Sequence, residues 1–494
     1  MQTNILSGGK RQFVLARQAV QADGWQSEQL SNGYVLSWHK ELKVSINKEK
    51  NVCLLGHAWS VTSDDRVVIE DMGRDSLLEA EKGWSGRYLL IIGDEIYLDT
   101  SGLLGVFYDE EAVTSSMNVM FQLKGREVKY PAIKHEIAPD FVPGYYTECE
   151  GVRRLVPSQV LNYVTGQVKR RALLPDRDFP NLTKEERTAK LSQCLITCMR
   201  NMQREFEGHK LCLALTGGRD SRTTLAGLLR SGVDFSTFTF YVRGIGEGDR
   251  VVPRMLAERL GLEYKYYEKC PYSKEHERAY VAFDAGMAVG GDLQHYSYRH
   301  FDQLAEGRKP IVVIKSSVYG NVILFWRHLV PFGTPFTAEA LRRVFPNLAC
   351  NAHHYASLKR WFDDALQDEQ NIWMDIANLY HYEQRSGCWL SSIMQSLDIL
   401  DGIEVVQPAN CRTIISLLMG YDADERYKKE HEEYVVATMC PEIKDVPYDS
   451  DIDKSSSHIS LRIKLRLRLA SWLLLTYRSK AALKCSFRRV PRKW

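Results

Sequence analysis

Six consecutive residues, Thr216 to Ser221 (TGGRDS), bring paired glycines, two hydroxyls and a carboxylate together between an apolar run and a helical pattern. Gly217 and Gly218 let the main chain approach a ligand closely, and N–H groups at a helix N-terminus attract anions. Asp220 would repel a bare phosphate, and a bridging Mg²⁺ removes that conflict. The segment therefore predicts a site for a nucleotide polyphosphate and its metal. The alternative is an ordinary strand–turn–helix in which Asp220 only meets the helix dipole.

The surrounding pattern indicates the elements that hold this segment in place. From about Pro180 the chain reads as a helix, with Asn181 or Thr183 as N-cap, followed by the strand LCLALT and the helix SRTTLAGLLRSG. The strand FSTFTFYV, the helix VVPRMLAERLG and the strand EYKYYE come next, and the apolar run KPIVVIKSS follows later. Such a βαβαβ order predicts a parallel sheet covered by helices, with ligands at the carboxyl ends of its strands. No GKS or GKT follows the glycines, which excludes a Walker loop, and residues beyond 335 are predicted to be almost entirely helical.

The first part of the chain has a different pattern. Residues 34 to 130 are rich in short strands separated by turn signals, and IIGDEIYL predicts a tight hairpin. A length of 494 residues favours two or three domains. We expect an overall fold of mixed α/β and α+β class.

Composition narrows the range of functions. Hydrophobic residues make up 44% of the chain, charged residues 26%, and the net charge is +3, which is ordinary for a soluble protein and gives no sign of a nucleic-acid partner. The eleven cysteines form no CxxC and no Cys/His cluster, which argues against zinc and fits a reducing cytoplasm. We see no signal peptide, and no apolar run reaches the roughly 18 residues that span a bilayer.

The TGGRDS segment resembles the SGGxDS pyrophosphate loop of the N-type ATP pyrophosphatases, and its surroundings resemble the asparagine synthetase-like enzymes. Residues 234–264 are similar to that family's second strand and following helix, with Asp249 at its acidic position, and Pro408 and Arg412 match a step in its C-terminal helical region. The run GWSGRYLLIIGDEIYLDTSGLLGVFY resembles a class II glutamine amidotransferase domain. The resemblance implies an Ntn-type αββα sandwich in residues 1–170, a PP-loop (adenine nucleotide α-hydrolase-like) synthetase domain in 171–458, and a tail in 459–494.

Enzymes of this family activate a carboxylate with ATP and Mg²⁺, release pyrophosphate, and let an amine displace AMP to form an amide. The resemblance implies that phosphates and metal are held by Thr216, Gly217, Gly218, Asp220 and Ser221. It places Leu215 and Thr239 beside the adenosine, and Asp220 and Asp249 at the metal. The expected partners are a carboxylate substrate and an amine donor, and a homodimer is a further expectation.

Two departures from the family change the expected chemistry. A working glutaminase of this class needs an N-terminal cysteine, but residue 2 is Gln2 and the nearest cysteine is Cys53. We therefore expect no glutaminase activity and an amine other than ammonia from glutamine, as in lasso-peptide cyclases and β-lactam synthetases. The family's second metal motif is also missing, since no Asp or Glu lies between Glu306 and Glu339.

Three further residues are candidates for catalysis. Lys315 ends the apolar run IVVIK and could neutralise phosphate charge, although a solvated strand end is the alternative. Tyr382, Glu383 and Arg385 lie together in YHYEQRSGCW, where a Tyr–Glu pair could deprotonate an incoming amine, and a plain helix ion pair is the alternative. A group at the acceptor pocket is also a candidate, with helix packing as its alternative: His295, Tyr296, Tyr298 and Arg299.

The end of the chain is strongly basic. Residues 459–494 contain eleven Lys or Arg and no acid. The tail could lie on an anionic membrane face or an acidic partner, or pack on the synthetase domain with a frayed end.

Two functions follow as hypotheses. The first is an ATP-dependent amide-forming ligase acting in polysaccharide or peptide natural-product biosynthesis. The second is a pseudoenzyme or partner subunit that keeps the fold, which the missing second metal motif favours. A tRNA-thiolating pyrophosphatase is disfavoured because CxxC and a basic RNA-binding face are missing from the central region.

Overall fold

The computed structural model describes residues 10–125, 141–174, 181–242, 245–271, 287–288, 299–345, 348 and 351–453. Its first part contains two six-stranded antiparallel sheets, with strand orders β10-β8-β9-β1-β3-β2 and β12-β11-β7-β6-β5-β4. Their strands are β1 Phe13–Ala16, β2 Trp25–Gln29, β3 Val35–His39, β4 Val44–Asn47, β5 Val52–Ser60, β6 Trp84–Ile92, β7 Glu95–Leu98, β8 Phe107–Tyr108, β9 Ala112–Thr114, β10 Arg153–Arg154, β11 Gln159–Asn162 and β12 Val168–Arg170.

The two sheets pack face to face between two short helices, α1 (Arg74–Ala80) and α2 (Met117–Leu123). Leu89 and Ile91 of β6 contribute to the core between the sheets, while Leu90 and Ile92 face the opposite side, where α1 packs. Since side chains alternate along a strand, a sheet buried on both faces needs the unbroken apolar run seen in β6. The β6–β7 turn confirms the predicted hairpin, with Ile92 paired to Glu95.

The second part is built on a five-stranded parallel sheet of order β15-β14-β13-β16-β17. Its strands are β13 Lys210–Ala214, β14 Phe235–Phe240, β15 Tyr264–Tyr267, β16 Ile311–Ile314 and β17 Ile403–Val406. The helices of this part are α3 Lys184–Glu205, α4 Arg219–Ser231, α5 Glu247–Leu260, α6 Ala338–Val344, α7 Ala352–Leu366, α8 Ile376–Tyr380, the π-helix His381–Leu390, α9 Ser391–Ser396, α10 Arg412–Met419, α11 Ala423–Lys428, α12 Glu430–Met439 and α13 Asp449–Ile452.

Local signals explain several of these boundaries. Thr183 caps α3, and a reciprocal bond from Thr183 N to Glu186 Oε2 (2.9 Å) completes a capping box, which confirms Thr183 as one of the two predicted caps. Gly232 ends α4 in the left-handed conformation (φ 74°), which a glycine adopts without steric cost. The predicted βαβαβ order is confirmed by β13, α4, β14, α5 and β15.

The structure corrects two details of the predicted elements. Among the described residues beyond 335 the regular elements are helices, as predicted, except for β17, which adds a fifth parallel strand beside β16. Strands also begin earlier than residue 34, since β1 and β2 belong to the first sheet. Both corrections concern strands of four or five residues, too short for a clear periodicity.

Buried ion pairs join the two parts. Arg87 of β6 donates two hydrogen bonds to Asp398, at 2.5 and 2.7 Å, and the buried Arg412 at the start of α10 bonds Glu81 Oε2 at 3.3 Å. Across the described segments, no helix is both long and apolar enough to cross a membrane. The predicted basic tail, together with His295, Tyr296 and Tyr298, lies outside the described residues.

Candidate functional site

The candidate site lies at the carboxyl edge of the parallel sheet, between β13 and β16. The chain enters the sheet at β13, moves outward through β14 and β15, and then returns to β16 on the other side. Connections that leave two neighbouring strands in opposite directions open a crevice at their carboxyl ends, where open α/β sheets bind ligands. The segment Thr216–Ser221 follows β13, and Lys315 follows β16, so topology brings both to this crevice.

The turn between β13 and α4 is held by its own hydroxyls. Thr216 N donates to Ser221 Oγ (3.1 Å), and the two hydroxyl oxygens lie 3.0 Å apart. Gly218 N donates to Thr216 Oγ1 at 3.3 Å. Thr216 is exposed, whereas Ser221 is buried. These hydrogen bonds fix the turn, and Thr216 lies at its outer surface.

The first glycine of the pair is required by a close approach within the chain. A Cβ on Gly217 would lie 2.9 Å from Asp449 Cβ and 2.9 Å from Gly248 O, both closer than real Cβ contacts. A Cβ on Gly218 would come no closer than 3.4 Å to Thr216 Oγ1. A close backbone approach is thus present at Gly217, and its neighbours in the structure are the start of α13 and the first turn of α5.

Asp249, in the first turn of α5, contacts the same turn. Its Oδ1 accepts a hydrogen bond from Gly217 N at 2.8 Å. Burial raises the pKa of Asp249, and the charges of Asp449 and Asp453 raise it further, against the lowering effect of the Gly217 N–H. The carboxylate that was predicted to bind metal therefore holds the loop through one of its two oxygens.

Asp220 has a different set of neighbours. Its Oδ1 lies 3.7 Å from Lys429 Nζ, and the buried Glu432 lies near it on α12. Burial raises the pKa of Glu432 well above its usual value, and the negative charge of Asp220 raises it further. Burial lowers the pKa of Lys429, but Asp220 and Glu432 together raise it above its ordinary value. Nowhere in the described ranges do three His, Cys, Asp or Glu side chains form a group that could hold a metal ion.

Lys315 continues β16, with its N–H bonded to Val406 O at 2.9 Å. Its Nζ lies 5.7 Å from the ring centre of Phe301. Lys315 is part-buried, and the burial of its ammonium group lowers the pKa of Lys315 to about 8. A partly buried ammonium group is stabilised by a neighbouring anion, and its contact with a phosphate stays a prediction.

Leu215 and Thr239 tie β13 to β14. Thr239 Oγ1 donates to Leu215 O at 2.6 Å, and Leu215 N donates to Phe238 O at 2.8 Å. Leu215 is 0% exposed and Thr239 is 4% exposed. Both side chains lie within the sheet. Their place beside an adenosine stays a prediction.

After β16, where the sequence resemblance predicts a second metal motif, the structure has a network of neutral groups. Ser316 Oγ lies 2.7 Å from Thr224 Oγ1 of α4, and Ser317 N donates to Gln407 Oε1 at 2.8 Å. Hydroxyls and an amide thus stand where carboxylates are expected. Their hydrogen bonds connect the end of β16 to α4 and to Gln407, which follows β17.

Tyr382 and Glu383 lie on the π-helix and contact separate groups. Glu383 is fully buried, with its oxygens bonded to Trp361 Nε1 (2.6 Å) and Arg170 (2.9 Å). Tyr382 is also buried, and its hydroxyl has no hydrogen-bond partner among the described residues. Glu383 therefore pairs with Arg170 of β12, a long-range ion pair and not the helix ion pair that the sequence predicts, and the Tyr–Glu catalytic pair stays a prediction.

Arg170 also lines a second cleft, of about 820 Å³, where the first part of the chain meets α7. Tyr145, Tyr146, Arg360 and Asp364 contribute to its wall. Two of its cations are already paired, because Arg170 bonds Glu383 and Arg360 Nε lies 3.1 Å from Asp364. This cleft shares no lining residue with the turn after β13.

Four residues near the site are not predicted by any sequence motif. They lie on or next to α12 and α13: Lys429, Glu432, Asp449 and Asp453. They lie more than 200 positions from Thr216 along the chain. The only local signal is the acidic run YDSDID, residues 448–453, and a run of acids by itself predicts a solvated surface.

No family model matches the chain. No curated protein matches it either. The functional assignment below therefore rests on the site geometry and on the residues of the motif.

Proposed function

We propose that the protein is an ATP-dependent amide-forming ligase of the asparagine synthetase-like type, without glutaminase activity of its own. In this proposal the four layers of the first part are an Ntn-type αββα sandwich, and the parallel sheet with its helices is a PP-loop synthetase domain. The observation that carries the proposal is the placement of the TGGRDS turn and Lys315 side by side at the topological switch point of the sheet.

The turn and the lysine suit the departure of pyrophosphate. A carboxylate oxygen of the substrate attacks the α-phosphorus of ATP, the bond to the β-phosphate bridging oxygen breaks, and pyrophosphate takes the electron pair. N–H groups at the start of α4 and the Lys315 ammonium stabilise this charge electrostatically. The amine nitrogen then attacks the acyl carbon, loses a proton, and AMP leaves with the electrons of the carbon–oxygen bond.

Mg²⁺ would screen the phosphate charge, and two carboxylates near the turn, those of Asp220 and Asp249, would hold it. Magnesium is commonly held by one or two carboxylates together with substrate phosphates. Asp220 offers one carboxylate at the helix N-terminus, and Asp249 keeps the oxygen that Gly217 does not occupy. Asp220 is thus the proposed ligand, and Asp249 a second ligand that also positions the loop.

The first prediction tests nucleotide binding at the turn. We expect saturating ATP with Mg²⁺ to raise the melting temperature by about 2 to 4 °C. Asp220→Asn should reduce this shift by at least about half, because it removes the proposed metal ligand. Asp234→Asn is the matched control, since Asp234 is exposed and follows the opposite end of α4. Equal shifts in all three proteins, measured by scanning calorimetry, would contradict binding at Asp220.

A second candidate function is a pseudoenzyme or partner subunit. It is favoured by Asp249 and Asp449, which already contact the turn, and by the neutral Ser316–Gln407 network. Exchange of labelled pyrophosphate into ATP across a panel of carboxylic acids separates the two functions. Exchange with any acid supports the ligase, whereas nucleotide binding without exchange supports the pseudoenzyme.

A further inference from the structure

The segment Tyr448–Asp453, which we call the acidic strap, folds back over the TGGRDS turn. Asp449 N donates to Gly217 O at 3.0 Å, and Asp453 Oδ1 accepts from Gly248 N at 3.1 Å. The strap thus binds both the turn after β13 and the start of α5.

Glycines make room for the strap at each contact. A Cβ on Gly248 would lie 2.5 Å from Asp449 Cα, and one on Gly246 would lie 2.2 Å from Asp453 Oδ2. With Gly217, three glycines therefore allow main chain and carboxylates of the strap to come closer than any side chain would permit. The strap is consequently a specific part of this face of the molecule.

Two arginines of α4 anchor the strap at its beginning. The Arg222 guanidinium lies 3.9 Å from the ring centre of Tyr448, and that of Arg219 lies 4.4 Å from it. Arg222, which is fully buried, also donates to Val446 O (2.7 Å) and Pro447 O (2.6 Å). The contacts of the Tyr448 ring with two guanidinium groups and the two charge-assisted hydrogen bonds of Arg222 hold the strap at the N-terminal turn of α4.

The strap places negative charge where a phosphate would bind. A Cβ on Gly218 would lie 4.0 Å from Asp449 Oδ2, and Gly218 is the N-cap of α4 and, as a glycine, has no side chain to cap the helix. The N-terminus of a helix stabilises an anion, and here the Asp449 carboxylate occupies its neighbourhood. A triphosphate arriving at the turn would meet both the volume and the charge of this carboxylate.

We propose that the acidic strap is an autoinhibitory contact, in which the Asp449 carboxylate takes the place of a nucleotide phosphate and must leave before the triphosphate binds. The inference rests on the proposed function, because it assigns a regulation to the same turn. Only molecules with an open strap bind nucleotide, so the apparent affinity is the intrinsic affinity reduced by the open fraction.

The test is titration calorimetry of the full chain with ATP and Mg²⁺. Asp449→Asn should bind about tenfold more tightly than the unchanged protein, as expected if the strap is closed in about nine of ten molecules of the unchanged protein and open in most molecules of the variant. Tyr448→Ala should act in the same direction, because it frees the strap without altering its acids. Tyr448→Phe keeps the ring against the arginines but removes the hydroxyl that hydrogen-bonds with Arg222, so its affinity should lie between those of the unchanged protein and Tyr448→Ala. Asp445→Asn is the matched charge control, since Asp445 is exposed and precedes the strap.

Each outcome decides between the two proposals. Equal affinities in all variants would overturn the strap inference and leave the nucleotide site standing. Weaker binding by Asp449→Asn would also overturn it, because the carboxylate would then help to hold the nucleotide's metal. Absence of binding by every variant would overturn the strap inference and the proposed function together.

Discussion

Gly217 shows how one residue joins the predicted site to the rest of the molecule. Its N–H donates to Asp249, its carbonyl accepts from Asp449 N, and its missing side chain admits Asp449 Cβ. The sequence predicts a close approach at this position, and the structure identifies the neighbour as the chain itself. A phosphate would therefore have to replace contacts that the folded protein already makes.

Lys315 has a consequence for stability that depends on pH. Its pKa in the folded protein is lowered to about 8 from an ordinary value of 10.5. Between these values the unfolded chain binds more protons than the folded chain, so folding stability rises with pH in this window. Below about pH 8 both states are protonated, and the folded state keeps an unfavourable buried charge.

We predict that Lys315→Met removes this rise. The difference in unfolding free energy between the unchanged protein and Lys315→Met should change by about 2 kcal/mol in favour of the unchanged protein between pH 7 and pH 10. Lys309→Met is the control, because Lys309 precedes the same strand and its side chain is 40% exposed beside Asp302. Urea unfolding at each pH gives the difference, and a flat difference for Lys315→Met would show that the ammonium is solvated.

At the scale of elements, the sequence predicts those that carry strong local signals. The capping box of α3 and the alternation from β13 to β15 are visible because caps, glycine ends and apolar runs act over a few neighbouring residues. β17 is missed because four residues, Ile403–Val406, form a strand only through pairing with β16. Tertiary contact, and not local preference, decides such an element.

The candidate site is predictable only in part, for the same reason. The six residues of the TGGRDS turn are contiguous, so the sequence alone predicts their chemistry. Lys315 is predicted from its position at the end of a strand. Asp449 and Lys429 reach the turn through the return of the chain after α11 and α12, which no local pattern encodes. Glu383 looks like a helix-surface residue in sequence, but the structure buries it beside Trp361 and Arg170.

At the scale of the molecule, buried charges hold the antiparallel sheets to the part built on the parallel sheet. Glu81, on the first part, is paired with Arg171 Nη1 (2.7 Å) and Arg412 Nε (3.3 Å). Burial alone would raise the pKa of Glu81, but the two arginines lower it below its ordinary value. Arg412 also donates to the carbonyls of Leu98 and Leu173, so one side chain joins several segments.

We predict that Arg412→Met destabilises the protein by about 3 kcal/mol, because it leaves buried carbonyls and part of the Glu81 charge without a partner. Arg204→Met should change the unfolding free energy by less than about 0.5 kcal/mol, since this side chain is 50% exposed and lies 3.7 Å from Asp64. Urea unfolding of both variants makes the comparison. Losses of the same size would mean that the buried pair contributes no more than a surface pair.

The most direct measurement of the central claim is hydrogen–deuterium exchange of the whole chain with and without saturating ATP and Mg²⁺. We predict slower exchange in residues 215–221 and 315–317, where the triphosphate binds. We predict faster exchange in residues 446–453, because the strap moves away from the turn. Unchanged exchange at the turn, or protection confined to the cleft beside Tyr145 and Arg360, would contradict the claim that the TGGRDS turn binds the nucleotide.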